Sequence, residues 1–198
     1  MNYHYILFLN FFFGTLCVLG QPQIESNRNR LVKIDTEKST IEILGKTNVN
    51  EFGCYYQTTF LQDSFHVEVT NFSSHKSLGN AKVKLKVKDF QCDNSQMTKD
   101  FRELLSYDEH PSVTIQLQKL KSIAPGKYLA ETVIQLAGQH QLYSLKLNVS
   151  ESQEGLFCSG AQKIDITDFG LQAPEKFFGM VKVSKDIVIN FNIYLELL

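Results

Sequence analysis

The sequence has almost no net charge. Its 20 lysine and arginine residues are balanced by 21 aspartate and glutamate residues, and the formal net charge is −1. Such a balance provides no overall electrostatic field that would concentrate nucleic acid or an anionic membrane surface around the protein. We therefore expect no nucleic-acid partner, and the charge alone names no protein partner.

Residue patterns that support catalysis or metal binding are also missing. No Gly-x-Ser-x-Gly nucleophile elbow is present, and Gly155 and Gly160 do not belong to a phosphate-binding loop. The histidines are scattered, and none belongs to a His-Glu-x-x-His pattern or forms a close pair with a cysteine. We expect no catalytic residues, no metal site and no enzymatic activity.

A long apolar run occurs only at the N-terminus. The run from Ile6 to Leu19 contains one strongly polar side chain, Asn10, and it is too short for a membrane-spanning helix. Val18 and Gly20 fit the −3 and −1 positions of a signal-peptidase site. We predict a signal peptide over residues 1–20, a periplasmic or secreted protein, and no membrane span in the mature chain. An uncleaved anchor is the alternative, because no lysine or arginine precedes the run.

Cysteine is scarce, and the mature chain keeps three: Cys54, Cys92 and Cys158. Export permits a disulfide, and the odd count leaves one thiol unpaired. Cys54 and Cys92 lie at predicted strand ends beside loops, where the backbone can bring them together, so we predict that they form the disulfide. Cys158 shares parity with Leu156 and Ile164 and is therefore expected on an inward face, as a buried thiol.

Alternation of polar and apolar residues dominates the chain after a polar leader at residues 21–30. In residues 82–88 four lysines alternate with apolar residues, and residues 187–197 repeat the pattern at greater length. We interpret the lysines as a solvated outer face rather than as a binding stripe for phosphate groups. The apolar residues expected to line an interior are Val83, Leu85, Val87, Ile189, Phe191 and Ile193.

About nine strands and one helix are predicted. The remaining candidate strands are residues 39–45, 52–60, 64–69, 113–117, 128–136, 141–149 and 156–167. The helix is indicated by Met97, Phe101 and Leu104, which form one apolar stripe after the cap candidates Asn94 and Ser95. A largely antiparallel sheet hides its edges and covers its apolar face by closing into a barrel, with the helix over one end. We therefore predict an all-β, single-domain antiparallel barrel over residues 31–198.

Three segments of the chain, in their order, form a recognisable pattern. The first is Ile34-Asp35 with Ser39-Thr40-Ile41, the second is residues 83–111, ending in His110-Pro111, and the third is residues 166–171 followed by Pro174. They resemble, in turn, the first strand, the strand, helix and turn, and the late loop of the YceI-like family of polyisoprenoid-binding proteins. The resemblance implies an extended lipocalin-like barrel with a lipid-filled interior. The absence of tryptophan separates the chain from true lipocalins.

The resemblance implies the binding or carriage of an elongated apolar lipid, such as a polyisoprenoid, a quinone or a fatty-acid-like molecule. No cofactor other than such a lipid is expected. Barrels of about eight strands have an interior that side chains can fill or that holds one small ligand. The pattern therefore also fits a packed barrel that serves as a structural or interaction module of the cell envelope. An enzyme that acts on a bound lipid is a third hypothesis.

We predict that the mature protein begins at Gln21, because Gly20 is the small residue best placed after the apolar run. N-terminal peptide sequencing of secreted or periplasmic material checks this. Material that begins at Met1 would contradict the prediction.

Overall fold

The computed structural model describes residues 24–61, 64–176 and 180–198. The predicted signal peptide lies outside these residues. None of the helices that the described residues form is long and apolar enough to cross a membrane.

Thirteen strands, one α-helix and three short 3-10 turns form within the described residues. The strands are β1 (Ile24–Lys46), β2 (Glu51–Tyr56), β3 (Ser64–Phe72), β4 (Lys76–Gly79), β5 (Lys82–Lys86), β6 (Phe90–Cys92), β7 (Ser112–Ala124), β8 (Lys127–Leu136), β9 (Gln139–Ser152), β10 (Gly155–Asp165), β11 (Glu175–Lys176), β12 (Val181–Lys182) and β13 (Asp186–Leu197). The helix α1 spans Ser95–Leu104, and the 3-10 turns span Thr58–Phe60, Val87–Asp89 and Ile166–Phe169.

Eleven of these strands form one antiparallel sheet that closes into a ring. The order around the ring is β13, β10, β9, β8, β7, β4, β3 and β1, and β1 pairs again with β13. β2 and β6 continue the sheet from the second half of β1, and β5 pairs with the start of β7. The prediction of an all-β antiparallel barrel is confirmed.

A bulge bends β1 at the point where it passes from β3 to β2. The register of β1 against β13 shifts between Asp35 and Thr40. The Asp35 carboxylate accepts the backbone N–H groups of Glu37 and Lys38, at 3.1 and 3.0 Å, and the buried Ser39 hydroxyl donates to the Asp35 carbonyl at 2.6 Å. The bulge turns the strand while apolar residues on both sides of it keep facing the interior.

Several elements differ from the sequence-based prediction. β1 begins at Ile24, inside the segment expected to be a polar leader, because these residues pair with β3 as far as Phe72. β5 ends at Lys86, so Val87 opens a 3-10 turn instead of continuing the strand. β4, β6, β11 and β12 are too short for a period-two pattern to reveal them.

The helix α1 begins as predicted from its cap residue. The Asn94 side chain accepts the backbone N–H of Met97 at 2.8 Å and thereby satisfies one unpaired N–H of the first turn. Phe101 and Leu104 turn towards the barrel and pack against its core. The chain leaves the helix through Ser106, which adopts a left-handed conformation with φ of 50°.

One end of the barrel, called the closed end here, is filled by apolar side chains from α1, from the turn Ile166–Phe169 and from neighbouring strands. This closed-end cluster consists of the buried residues Val87, Leu105, Ile134, Leu136, Ile164, Ile166, Phe169 and Leu171. A central cluster contains Ile34, Ile41, Tyr56, Leu61, Leu85 and Phe90. A third cluster, of Ala130, Leu145 and Leu147, lies towards the opposite end.

The opposite end, called the open end here, is formed by the β3–β4, β7–β8 and β9–β10 hairpins. The tip of the β7–β8 hairpin, residues 121–127, is exposed throughout. No helix formed by the described residues crosses this end, whereas α1 and a 3-10 turn cover the other.

The turn that covers the closed end is held by Asp165. Its carboxylate accepts the Thr167 backbone N–H at 3.0 Å and the Thr167 hydroxyl at 2.6 Å, and it pairs with Lys185 at 2.7 Å. The Lys185 ammonium and the two Thr167 donors lower the pKa of Asp165 to about 2. Gly170 ends the turn with φ of 72°, a conformation that glycine adopts without strain.

We predict that Asp165→Asn lowers the melting temperature at neutral pH and not near pH 2. A carboxyl whose folded-state pKa is depressed stabilises the fold above its unfolded-state pKa, near 4, and this contribution is lost as the pH falls through about 2. Thermal unfolding followed by circular dichroism across this window checks the prediction. Lys185→Met and Asp165→Asn together should lower the melting temperature by less than the sum of their separate effects, because both break the same ion pair. If Asp165→Asn lowers the melting temperature equally at neutral pH and near pH 2, the stabilising role of the Asp165 carboxylate is wrong.

Candidate functional site

The six residues predicted to line the interior all turn inward. Leu85 belongs to the central cluster, and Val83, Ile189, Phe191 and Ile193 pack against it. Val87 belongs instead to the closed-end cluster. The structure therefore brings β5 and β13, which are far apart in sequence, to one shared interior.

The strand register defines which other residues share this interior. Directly paired residues of an antiparallel ladder project to the same side of the sheet. Phe191 pairs with Ile41 on one side and with Gly160 on the other, and Ile193 pairs with Cys158. A Cβ atom at Gly160 would lie 2.6 Å from the Phe191 ring and 2.8 Å from a backbone carbonyl, so glycine makes room for this ring.

The inward residues fall into two groups by exposure. Leu85 and Ile34 are 2% and 3% exposed, because side chains of the central cluster surround them. Ile189, Phe191 and Ile193 face the same interior from β13, which pairs with β1 on one side and β10 on the other. The three side chains are nevertheless partly accessible to solvent. Partial exposure of an inward residue indicates that neighbouring side chains do not fill the space beside it.

We call the partly accessible apolar residues that pack on the central and third clusters the lumen face. They come from β1, β3, β5, β7, β8, β9 and β13. The lumen face consists of Ile43, Phe65, Val83, Val113, Ile115, Leu117, Leu120, Tyr128, Val149, Ile189, Phe191, Ile193 and Leu195.

Cys158 and Thr132 are two of the polar side chains that interrupt the apolar interior. The structure places Cys158 inward between Ile193 and Val149, as a free, partly buried thiol whose pKa burial raises to about 11. Thr132 is 1% exposed, and within the described part of the chain its hydroxyl has no hydrogen-bond partner. Neither group has the activated character of a nucleophile, since a raised pKa keeps the thiol protonated at neutral pH.

The other two cysteines of the predicted mature chain also face inward, since Cys54 pairs directly with Ile43. Cys54 on β2 and Cys92 on β6 are direct partners in the ladder, and a disulfide joins them. Strand pairing therefore brings the two residues together, whereas the sequence argument rested on loops beside strand ends.

A surface cleft of about 330 Å³ lies beside α1. Arg102 fixes the helix here, because its guanidinium donates to the carbonyls of Lys88 at 2.7 Å and Phe90 at 3.4 Å. Polar and charged residues such as Lys99 and Glu103 line the cleft, so it does not suit an apolar ligand. Among the described residues, no group of three or more His, Cys, Asp or Glu side chains is placed to hold a metal ion.

The closed ring, the helix at one end and the apolar interior together define a lipocalin-like β-barrel. The family model for the YceI-like domain matches residues 32–195, and the chain belongs to this family. No curated protein matches the chain.

Solved structures share the fold at low sequence identity. Burkholderia cenocepacia BcnA is 13% identical with a TM-score of 0.60, over 82% of this chain and 98% of that one. A polyisoprenoid binding domain from Saccharophagus degradans, implicated in plant cell wall breakdown, is 10% identical with a TM-score of 0.56, over 83% and 97%. The Campylobacter jejuni YCEI protein is 13% identical with a TM-score of 0.52, over 99% of both chains.

We predict that tryptophan is tolerated at Ile193 and not at Leu85. Leu85 lies in a packed cluster, so Leu85→Trp overfills it and should cost about 1–3 kcal/mol of unfolding free energy. Ile193→Trp extends into the lumen and should cost less. Urea unfolding of both variants checks the difference, and equal losses would indicate an interior packed throughout.

Proposed function

We propose that this protein binds and carries an elongated apolar lipid in its barrel interior. The observation that supports the proposal is the lumen face: apolar side chains on seven strands that point inward and remain partly accessible. An apolar chain in such a space needs no polar partner, and each buried methylene contributes about 0.8 kcal/mol.

The dimensions of the barrel suit a thin, long molecule. β13 has 12 residues, and with the usual rise and tilt of barrel strands it spans roughly 30 Å of barrel height. An eight-stranded ring encloses a width comparable to one such chain. The closed-end cluster blocks the interior at one end, so a lipid would enter from the open end.

The family relatives favour the same class of ligand. One solved relative with this fold is described as a polyisoprenoid binding domain. We extend this class of ligand to the present chain because its inner surface is mostly apolar between the closed end and the charged positions at the open end. Polyisoprenoids, quinones and fatty-acid-like molecules share the required chemistry, which is a long hydrocarbon with a small head.

We further propose that the protein works outside the cytoplasm and is not an enzyme. The disulfide between Cys54 and Cys92 persists in oxidising compartments, in agreement with the predicted signal peptide. The polar groups inside the barrel, Cys158 and Thr132, form no pair of nucleophile and base, since neither has a hydrogen-bond partner of that kind among the described residues.

We expect native mass spectrometry of gently purified protein to show an additional mass of a few hundred daltons that organic extraction removes. Ile193→Trp should abolish this mass because the indole occupies the lumen. Leu142→Trp is the matched control, since Leu142 is 65% exposed on the outer surface and the change leaves the interior untouched.

A parent protein without extractable lipid, together with a strongly destabilised Ile193→Trp variant, would contradict the proposal. That pair of results would favour the alternative of a packed barrel that acts through its outer surface.

A further inference from the structure

The first strand carries two arginines into the open end of the barrel. Arg30 pairs with Val67 and Arg28 pairs with Val69, so both arginines project to the same side of the sheet as these valines. Val32, the next residue in the same orientation, is 5% exposed in the core. Arg28 and Arg30 therefore continue the inward side of β1 beyond the apolar part of the interior.

These arginines lie where the ring is incomplete. β13 ends at Leu197, which pairs with Val32, and the Leu198 N–H donates to the Leu31 carbonyl at 3.0 Å, so residues 24–30 of β1 extend past this strand. Both arginines are exposed, and no ion pair to either is formed within the described part of the chain. Their guanidinium groups are therefore free to bind a ligand at the mouth of the lumen.

The charge at this end is predominantly positive. Lys76 on β4 pairs with Asn71 and Leu120 and has the same inward orientation. Glu151 on β9, which pairs with Leu156, is the one carboxylate with this orientation among the open-end strand residues whose side chains the structure describes. Within that set, three cationic groups and one anionic group thus face the mouth from the strands, although the chain as a whole is balanced.

We propose that Arg28 and Arg30 bind the anionic headgroup, a carboxylate or phosphate, of a lipid whose hydrocarbon chain occupies the lumen. This inference rests on the proposed function. Guanidinium groups bind both anions through paired, charge-assisted hydrogen bonds. Alternate strand residues are about 6.6 Å apart, so the two guanidinium groups can approach one headgroup from the same side. An anionic headgroup would also orient the lipid with its tail towards the closed end.

Binding of cis-parinaric acid and of its methyl ester, measured by fluorescence at neutral pH, tests the proposal. The two probes share one chain and differ in charge. The parent should bind both and prefer the acid. Arg28→Gln/Arg30→Gln should weaken binding of the acid about tenfold, a modest factor because exposed charge pairs are partly screened. Binding of the ester should not change, because the ester carries no charge. Added salt should likewise weaken only the acid.

The matched control is Lys121→Gln/Lys127→Gln. It removes the same charge at the same end, but both lysines are exposed and point outward, as their pairing with Leu129 and Asn148 shows. Its affinity for both probes should equal that of the parent. If this control loses as much affinity for the acid as the arginine variant, the effect comes from net charge alone, and the assignment of Arg28 and Arg30 as the headgroup site is wrong.

The remaining outcomes separate the two proposals. Failure of the parent to bind either probe would contradict the lipid-binding function itself. Equal affinities for acid and ester in the parent and in the arginine variant would leave that function intact and overturn the headgroup site. Displacement of the acid by millimolar inorganic phosphate, without displacement of the ester, would indicate a site for free anions instead of a lipid headgroup.

Discussion

The pairing of β1 with β13 is the interaction on which the rest of the structure depends. It joins the first and last strands of the described sheet and closes the eight-stranded ring, so neither strand presents a free edge along this pairing, although the short strands β5 and β6 each keep one unpaired side. Without this closure the apolar side of every strand would face water. Closure turns that side into the barrel interior. The bulge between Asp35 and Thr40 lets β1 pair with β3 before it and with β2 after it.

The two ends of the barrel differ in a way that gives the interior a direction. At the closed end Phe169 and Leu105, from the 3-10 turn and the residue after α1, fill the space between strands. At the open end the strands stop at exposed hairpins and the inward positions of β1 become basic. The interior is therefore apolar at depth and basic where it meets water.

Much of the fold follows from period-two alternation, and the limits of that signal explain what was missed. The alternation is strong in β5, where lysine takes every second position, and in β13 from Asn190 onward, and α1 was indicated by its apolar stripe and Asn94. The start of β1 escaped because Arg28 and Arg30 occupy its inward positions, so no apolar face marks a strand there.

The candidate site was predictable only in part, for a related reason. Alternation indicates which side chains point inward, but it does not distinguish a residue packed on all sides from one beside free space. Leu85 and Val87 lie in filled clusters, whereas Ile189 to Ile193 remain partly accessible. That distinction depends on which side chains come from the other strands of the ring, and hence on contacts remote in sequence.

The shortest ladder of the ring joins β4 to β7, and the disulfide closes a loop that contains the first of these two strands. β4 and β7 are joined through only two residue pairs in the described ladder, while β8 and β9 are joined through ten. Cys54 and Cys92 are 38 residues apart, and the loop they close contains all of β3, β4 and β5. By chain-entropy reasoning a bond that closes a loop of this size stabilises the fold by roughly 4 kcal/mol, because it restricts the unfolded chain. Under reducing conditions β3, β4 and β5 would keep their hydrogen bonds and lose this restriction, so unfolding of the segment that contains them would become more favourable.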